Sequence, residues 1–230
     1  MLMFSLVVFD LLAIFVVSAA AQGRGVSPPR RPSAPRMELS VGAGLLTGNG
    51  LGSADATVRG RNTQPYQLFA TTSRVGASIP IEVRLDFLLG PRYVLEMRGA
   101  WSRPELQTAI SDDVEGAPPI TLAERVDLYS LDLGLLVNLG RARPRAMMPF
   151  ITAGAGYVGA VHEGLTLLES GITYRGGGGI KYPLAMRNTG RIKGAGIRAD
   201  AALIVTTGGV ATGSGAARQV AATGSVYLTF

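Results

Sequence analysis

The sequence contains no cysteine, and only one histidine and one tryptophan occur among its 230 residues. Without cysteine the chain has no disulfide, no zinc-thiolate site, no thiol nucleophile and no lipid anchor on an N-terminal cysteine. Charged residues make up only 17%, whereas soluble domains usually contain about a quarter. After residue 21 no apolar run approaches the roughly 20 residues that a membrane-spanning helix requires. A membrane protein with this sequence would therefore not be helical.

The first 21 residues, MLMFSLVVFDLLAIFVVSAAA, form one apolar run that closes on small residues. Ala19 and Ala21 fit the A-x-A cleavage pattern, so that Gln22 would begin the mature chain. The pattern predicts a signal peptide over 1–21 and export of the protein. The alternative is a single N-terminal membrane anchor, for which the run is short. Residues 22–36, QGRGVSPPRRPSAPR, are rich in proline and arginine and predict an extended periplasmic linker.

From Met37 onward the dominant signal is alternation with period two, in segments of about ten residues, which is typical of transmembrane β-strands. In RYVLEMRGAW, for example, Tyr93, Leu95, Met97 and Trp101 share one face and Glu96 and Arg98 share the other. We predict eight strands, at about 37–47, 75–89, 92–103, 126–139, 149–161, 172–184, 195–205 and 219–230.

The connections between these segments alternate in length. Only Gly90 and Pro91 separate the second and third strands, which indicates a tight turn. Residues 48–74 and 104–125 are long and polar, and we expect loops there. An antiparallel meander follows, with short turns at one end and longer loops at the other.

A soluble β-sandwich also alternates, so the choice between sandwich and barrel depends on the charges opposite the apolar face. A sandwich would show them to water, whereas a narrow barrel would desolvate them, and each would then need a partner of opposite sign. Five acidic and five basic residues fall on that face, and this balance favours a barrel with a network of charges in its lumen. The predicted network comprises Glu38, Arg84, Asp86, Glu96, Arg98, Asp132, Arg175, Lys181, Arg198 and Asp200.

Aromatic residues on the apolar face also favour a membrane barrel, because lipid-facing girdles place Tyr and Trp at both interfaces. The predicted girdle consists of Tyr93, Trp101, Tyr129, Tyr157 and Phe230. On the opposite face we expect glycines to make room for long charged side chains in a small lumen. Those glycines are Gly154, Gly156, Gly177 and Gly179.

Several segments resemble the OmpA/OmpX-like outer-membrane β-barrel proteins of Gram-negative bacteria. They are YVLEMRGAWSRPEL (93–106), PFITAGAGY (149–157), YRGGGGIKY (174–182), GIRADA (196–201) and the terminal Phe230. The resemblance covers the chain from about residue 37 onward. It implies an eight-stranded barrel with short periplasmic turns, surrounded by outer-membrane lipids and lipopolysaccharide. It also implies that the barrel-assembly machinery recognises the last strand through Val226, Leu228 and Phe230.

Catalytic and cofactor motifs are weak in this sequence. RGGGGIK lacks the Gly-Lys-Ser/Thr of a phosphate loop, because Ile180 separates Gly179 from Lys181. His162, beside Glu163 and near Ser170, leaves open a lipid-modifying enzyme with histidine as base. SDDVEG (111–116), with Asp112, Asp113 and Glu115, leaves open a Ca²⁺ or Mg²⁺ site, although a solvated acidic loop is the simpler interpretation. We expect no enzyme activity, cofactor or metal.

Basic residues cluster in the predicted periplasmic linker and in two predicted periplasmic turns, 141–145 and 187–193. No aromatic-interleaved patch accompanies them, so nucleic-acid binding is not expected; anionic phospholipid headgroups are the partner that we hypothesise. The sequence as a whole predicts an all-β protein, an eight-stranded antiparallel up-and-down transmembrane β-barrel over 37–230. Its predicted role is envelope structure or surface contact through extracellular loops, and a narrow channel for small solutes is the alternative.

Overall fold

The computed structural model describes residues 37–58, 66–111, 118–141, 143–161, 167–187, 190–208 and 216–230. The predicted signal peptide and linker (1–36), His162 and the acidic residues 112–115 lie outside these ranges. The described residues contain no helix that is long and apolar enough to cross a membrane. They form twelve strands, which belong to two sheets.

Eight of these strands close into an antiparallel barrel, as the alternation predicted. They are β1 (Met37–Leu46), β4 (Ile81–Leu88), β5 (Tyr93–Ser102), β8 (Asp127–Asn138), β9 (Met148–Val161), β10 (Leu167–Met186), β11 (Gly194–Gly208) and β12 (Ala217–Thr229). Their order around the wall is β1-β12-β11-β10-β9-β8-β5-β4, and β4 pairs with β1 to close it. Apart from the β1–β12 pair, each barrel strand pairs with the barrel strands that come before and after it in the chain, so the connectivity is up-and-down.

The first and last strands of the chain form one seam of the barrel. Glu38 pairs with Thr229, and the antiparallel register continues to Leu46 and Ala221. The Phe230 N–H donates to the Met37 carbonyl at 2.8 Å, which extends the ladder by one bond. This closure leaves the barrel without a free strand edge, which a membrane-spanning sheet requires.

The long connections were expected to be loops, and this expectation is wrong. They contain β2 (Asn49–Val58), β3 (Tyr66–Val75), β6 (Glu105–Ser111) and β7 (Ile120–Arg125). These strands form a second, four-stranded sheet in the order β2-β3-β6-β7, which we call the outer sheet. The order repeats that of β1, β4, β5 and β8, the barrel strands from which they continue.

Hydrogen bonds join the outer sheet to the barrel wall at each break between strands. Leu46 and Ser78 exchange backbone bonds of 2.9 and 3.0 Å, and the Val126 N–H donates to Pro104 at 3.1 Å. The Gly76 N–H donates to Glu105 at 2.7 Å. One side of the barrel wall is therefore prolonged beyond the rim, at the end opposite the short turns.

Candidate functional site: the barrel lumen

Side chains alternate between the two faces of the barrel wall as the sequence predicted. On β8, Leu131 and Leu133 are 60% and 54% exposed, whereas Asp132 is buried. On β12, Val226 is 63% exposed and Tyr227 is buried. The outer face of the barrel is thus covered by exposed apolar side chains, and the polar residues point into the lumen.

All ten predicted lumen charges are buried in the structure. They come from six of the eight barrel strands, β1, β4, β5, β8, β10 and β11, and β12 adds the hydroxyl of Thr223. β9 adds no charge to the lumen; its inward residues include Gly154 and Gly156, where a Cβ would meet the backbone of β8. Glycine on β9 therefore leaves room beside the charged side chains of neighbouring strands.

Asp200 is the centre of the network, because three arginines contact its carboxylate. Arg84 donates to both oxygens, at 2.7 and 3.1 Å, which is a bidentate pair. Arg175 donates to Oδ2 at 2.7 Å and Arg198 donates to Oδ1 at 3.2 Å. Arg84 also reaches β12, where it donates to the Thr223 hydroxyl at 2.9 Å.

The network extends toward the short-turn end through Lys181. Its ammonium group lies 2.5 Å from Glu38 and 3.0 Å from Asp86. Asp86 is 3.5 Å from Arg198, and Arg198 is 2.6 Å from Glu96. Lys181 thereby links β1, β4 and β10, and Arg198 connects this group to Asp200.

In the other direction the network runs through a carboxylate that the sequence analysis missed. Glu82 is 2% exposed and lies 2.5 Å from Arg84 and 2.7 Å from Arg98. Arg98 continues to Asp132 at 2.6 Å, and Asp132 accepts a bond of 2.8 Å from Thr173. Because Glu82 has the same phase as Arg84 and Asp86 in IEVRLDFL, the alternation itself could have identified it.

With Glu82 the described lumen contains six buried carboxylates and five buried cations, and not five of each. All eleven groups belong to one connected set of ion pairs. Buried charges are tolerated when each has close partners of opposite sign, and removal of a single partner costs several kcal/mol. The network consequently fixes the positions of strands that are far apart in the chain.

An apolar cluster lies beside the network, near the short turns. It consists of Val94, Leu136 and Phe150, which are 1%, 0% and 2% exposed, with Leu88 packed against them. The Arg198 guanidinium lies 4.5 Å from the centre of the Phe150 ring, within the range of a cation–π contact. The cluster and the network together fill this part of the lumen.

Above the network, toward the outer sheet, the lumen holds a cavity of about 60 Å³. Ala100, Val158 and Ile204 are among its walls, and Arg98 and Asp132 are at its charged end. A volume of this size has room for a few water molecules. Among the described residues no group of three or more histidine or acidic side chains is arranged to hold a metal.

Four of the five predicted girdle residues lie near the ends of their strands, whereas Tyr157 lies farther inside β9. Tyr93 is at the short-turn end of β5, and Phe230 follows β12 at the same end. Trp101 and Tyr129 pair across β5 and β8 at the other end, where the Trp101 indole donates to Asp127 at 3.1 Å. Tyr157 is 51% exposed on β9, and Tyr174 on β10, which the prediction omitted, is exposed to the same degree.

No protein-family model matches the sequence, and no curated protein matches it. Among solved structures the chain is similar to the crystal structure of the outer membrane protein OprG from Pseudomonas aeruginosa. The two are 11% identical, with a TM-score of 0.49 over 86% of this chain and 98% of that one. An identity this low assigns no family.

Proposed function

We propose that this chain is a non-enzymatic outer-membrane protein of a Gram-negative bacterium, with a closed lumen and with its outer sheet at the cell surface. The observation that supports the proposal is that burial is the reverse of that in a water-soluble protein. Large apolar side chains cover the outside of the barrel, and eleven charged groups are buried inside. Water would favour the opposite arrangement, because exposed apolar area is costly and exposed charges are not.

The first test is whether the barrel exists as a folded unit in a membrane-like solvent. The protein in detergent, run on a gel before and after boiling, should migrate at two positions, because a barrel without free edges resists detergent until it is heated. Emission from Trp101, the only tryptophan, should shift to shorter wavelength on transfer into bilayers, since its ring lies on the apolar face. A protein that stays soluble and monomeric without detergent would contradict the proposal.

The cell-surface position of the outer sheet needs a separate test. An epitope tag inserted between β2 and β3, at 60–63, should bind antibody on intact cells. A matched tag in the turn between β10 and β11, at 188–189, should bind antibody only after the outer membrane is permeabilised. The reverse pattern would place the sheet in the periplasm and would contradict a role in surface contact.

The closed lumen distinguishes this proposal from the alternative of a narrow channel. The ion-pair network and the apolar cluster of Val94, Leu136 and Phe150 support a barrel that passes no steady current. Planar-bilayer recordings should show no stepwise conductance for the protein as it stands. Glu96→Ala and Arg98→Ala, which each remove a partner from the network, should be the variants in which current first appears. Steady conductance of the unaltered protein would favour a channel.

Membership of the OmpA/OmpX-like proteins and recognition by the barrel-assembly machinery remain parts of the proposal. In support, Val226 and Leu228 lie on the exposed apolar face of β12, and Phe230 closes the seam with Met37. Phe230→Ser should lower the fraction of heat-modifiable protein in cells. The same variant refolded from urea into detergent should form the barrel normally, because no assembly machinery has to recognise the last strand there. A wild-type fraction in cells would argue against a recognition signal at this end.

A further inference from the structure

The short-turn end of the barrel carries charge of one sign. Its three turns, 89–92, 139–147 and 187–193, contain seven basic residues and no aspartate or glutamate. The structure adds Arg92 to the two turns noted in the sequence, and we call this set the basic rim: Arg92, Arg141, Arg143, Arg145, Arg187, Arg191 and Lys193. All but Lys193 are exposed. The arginines of the rim therefore lie where they can meet a partner.

The two larger turns of the rim are held next to each other. Arg145 has a backbone φ of 56°, and its N–H donates 2.8 Å to the carbonyl of Pro183 at the end of β10. The Arg187 N–H in turn donates 2.7 Å to Lys193 across the second turn. The charged residues of these two turns thus lie on short connections whose backbone is held by hydrogen bonds.

Exposed apolar side chains lie within the same turns. Leu89, Leu139, Met147 and Ile192 are between 48% and 73% exposed. An arginine beside such residues can keep its aliphatic stem on the apolar belt and its guanidinium at the level of lipid headgroups. The juxtaposition places seven cations at the border between an apolar belt and water.

Other charges differ between the two ends. Near the outer sheet, basic and acidic groups are mixed: Arg103 lies 3.3 Å from Asp127, and Glu105 pairs in register with Arg125. At the short-turn end the nearest acidic side chains, Glu38 and Asp86, are already bound to Lys181 in the lumen.

We propose that the basic rim binds the headgroups of anionic phospholipids in the leaflet around the short turns. The inference rests on the proposed membrane location of the barrel. A nucleic acid would also supply phosphates, but binding single strands depends on aromatic side chains among the cations, and the three turns contain none. An anionic lipid can pair its headgroup with the cations of the rim and pack its acyl chains against the apolar side chains beside them.

The experiment measures which lipids surround each end of the inserted barrel. Trp101 reports the outer end, and the double variant Trp101→Phe with Tyr93→Trp reports the short-turn end beside Arg92. Each protein is inserted into phosphatidylcholine vesicles that contain a fixed fraction of phosphatidylglycerol, with bromine on the acyl chains of one lipid or the other. Quenching of tryptophan emission then gives the relative affinity for the two lipids at that end.

At low salt the reporter at position 93 should show at least about a fivefold preference for phosphatidylglycerol, the factor that one full surface contact provides. Trp101 should show little preference. Arg92→Gln, Arg141→Gln, Arg143→Gln and Arg145→Gln, combined with Arg187→Gln, Arg191→Gln and Lys193→Gln, should reduce the preference at position 93 to near one. Salt near 1 M should do the same, because it shortens the screening length to about 3 Å.

A matched control removes charge from the other end through Arg74→Gln, Arg103→Gln and Arg125→Gln. It should leave the preference at position 93 unchanged. Equal quenching by both lipids at position 93 in the unmodified rim overturns the proposal, whatever else the rim binds. Failure of the barrel to insert even into pure phosphatidylcholine would instead overturn the proposed function, so the two failures are distinguishable.

Discussion

The barrel wall and the outer sheet are built from the same run of strands, yet they are stabilised in different ways. In the wall, one face of each strand is buried in the lumen, and its charges are bound to strands across the barrel. In the outer sheet, β7 is exposed on every residue, and β3 and β6 have no fully buried side chain among those described. The comparison indicates that the wall depends on its interior, whereas the sheet depends on backbone pairing with its neighbours.

The largest effect should come from the centre of the network. Asp200→Ala would leave Arg84, Arg175 and Arg198 buried without their shared carboxylate. We expect the free energy of unfolding to fall by about 3–5 kcal/mol. Urea titration of the protein in bilayers, followed by Trp101 emission, measures this loss. A change below about 1 kcal/mol would show that the ion pairs do not stabilise the barrel.

Two adjacent glycines on β10 allow the two faces of one strand to be compared, and the expected change in stability is smaller. A Cβ at Gly177, which points into the lumen, would meet the backbone and side chain of Ala202 at 2.7 and 2.8 Å, whereas one at Gly176 would meet nothing. Gly177→Ala should therefore destabilise the barrel by about 1–3 kcal/mol. Gly176→Ala should be neutral or stabilising by up to about 1 kcal/mol. Equal values from urea titration would contradict the assignment of the two faces.

Charge removal from the outer sheet should have a much smaller effect. Arg74 donates to Gln107 at 2.7 Å, and Gln107 donates to Glu105 at 2.6 Å, all on an exposed surface. Arg74→Ala should cost no more than about 0.5 kcal/mol in the same titration. A loss comparable to that of Asp200→Ala would mean that the outer sheet contributes to the stability of the barrel.

The smallest effect is expected from shortening the outer sheet. Gly52 pairs with Ser73 across β2 and β3, so Asn-Gly in place of residues 53–72 would join them by a two-residue turn. The bonds from Leu46 to Ser78 remain below this point. Heat-modifiable migration should be retained and the unfolding midpoint should not change. Loss of the folded band would show that the sheet and the barrel fold as one unit.

The barrel strands were predictable because burial imposes a rule on them. In β8 each odd residue from Tyr129 to Leu135 is exposed and apolar, and a slip of one residue would place Asp132 outside. In β2, with the sequence NGLGSADATV, Leu51 is the only buried side chain among those described, so burial imposes no alternation on the strand. A register shift between Gly50 and Gly52 further interrupts its alternation. The sequence therefore suggested a loop where the structure has a strand.

From the sequence we could predict which charged residues point into the lumen, but not which of them form ion pairs. The phase of β4 places Arg84 and Asp86 inside, and the same phase applies to the omitted Glu82. The partners depend on barrel closure: Arg84 and Asp200 are 116 residues apart, and Lys181 and Glu38 are 143 apart. A single sequence shows which side of a strand a charge occupies, but it does not show which charge lies across the lumen.

If the barrel spans a bilayer as we propose, the seam between β1 and β12 has a consequence for its insertion. Lys181 meets Glu38, and Arg84 reaches Asp200 and Thr223, only when the sheet has curled until its first and last strands touch. A sheet with this seam open would hold Lys181 in hydrocarbon without Glu38, and Arg84 without Asp200. Insertion and closure must then occur as one concerted event, and intermediates with the seam open should be scarce.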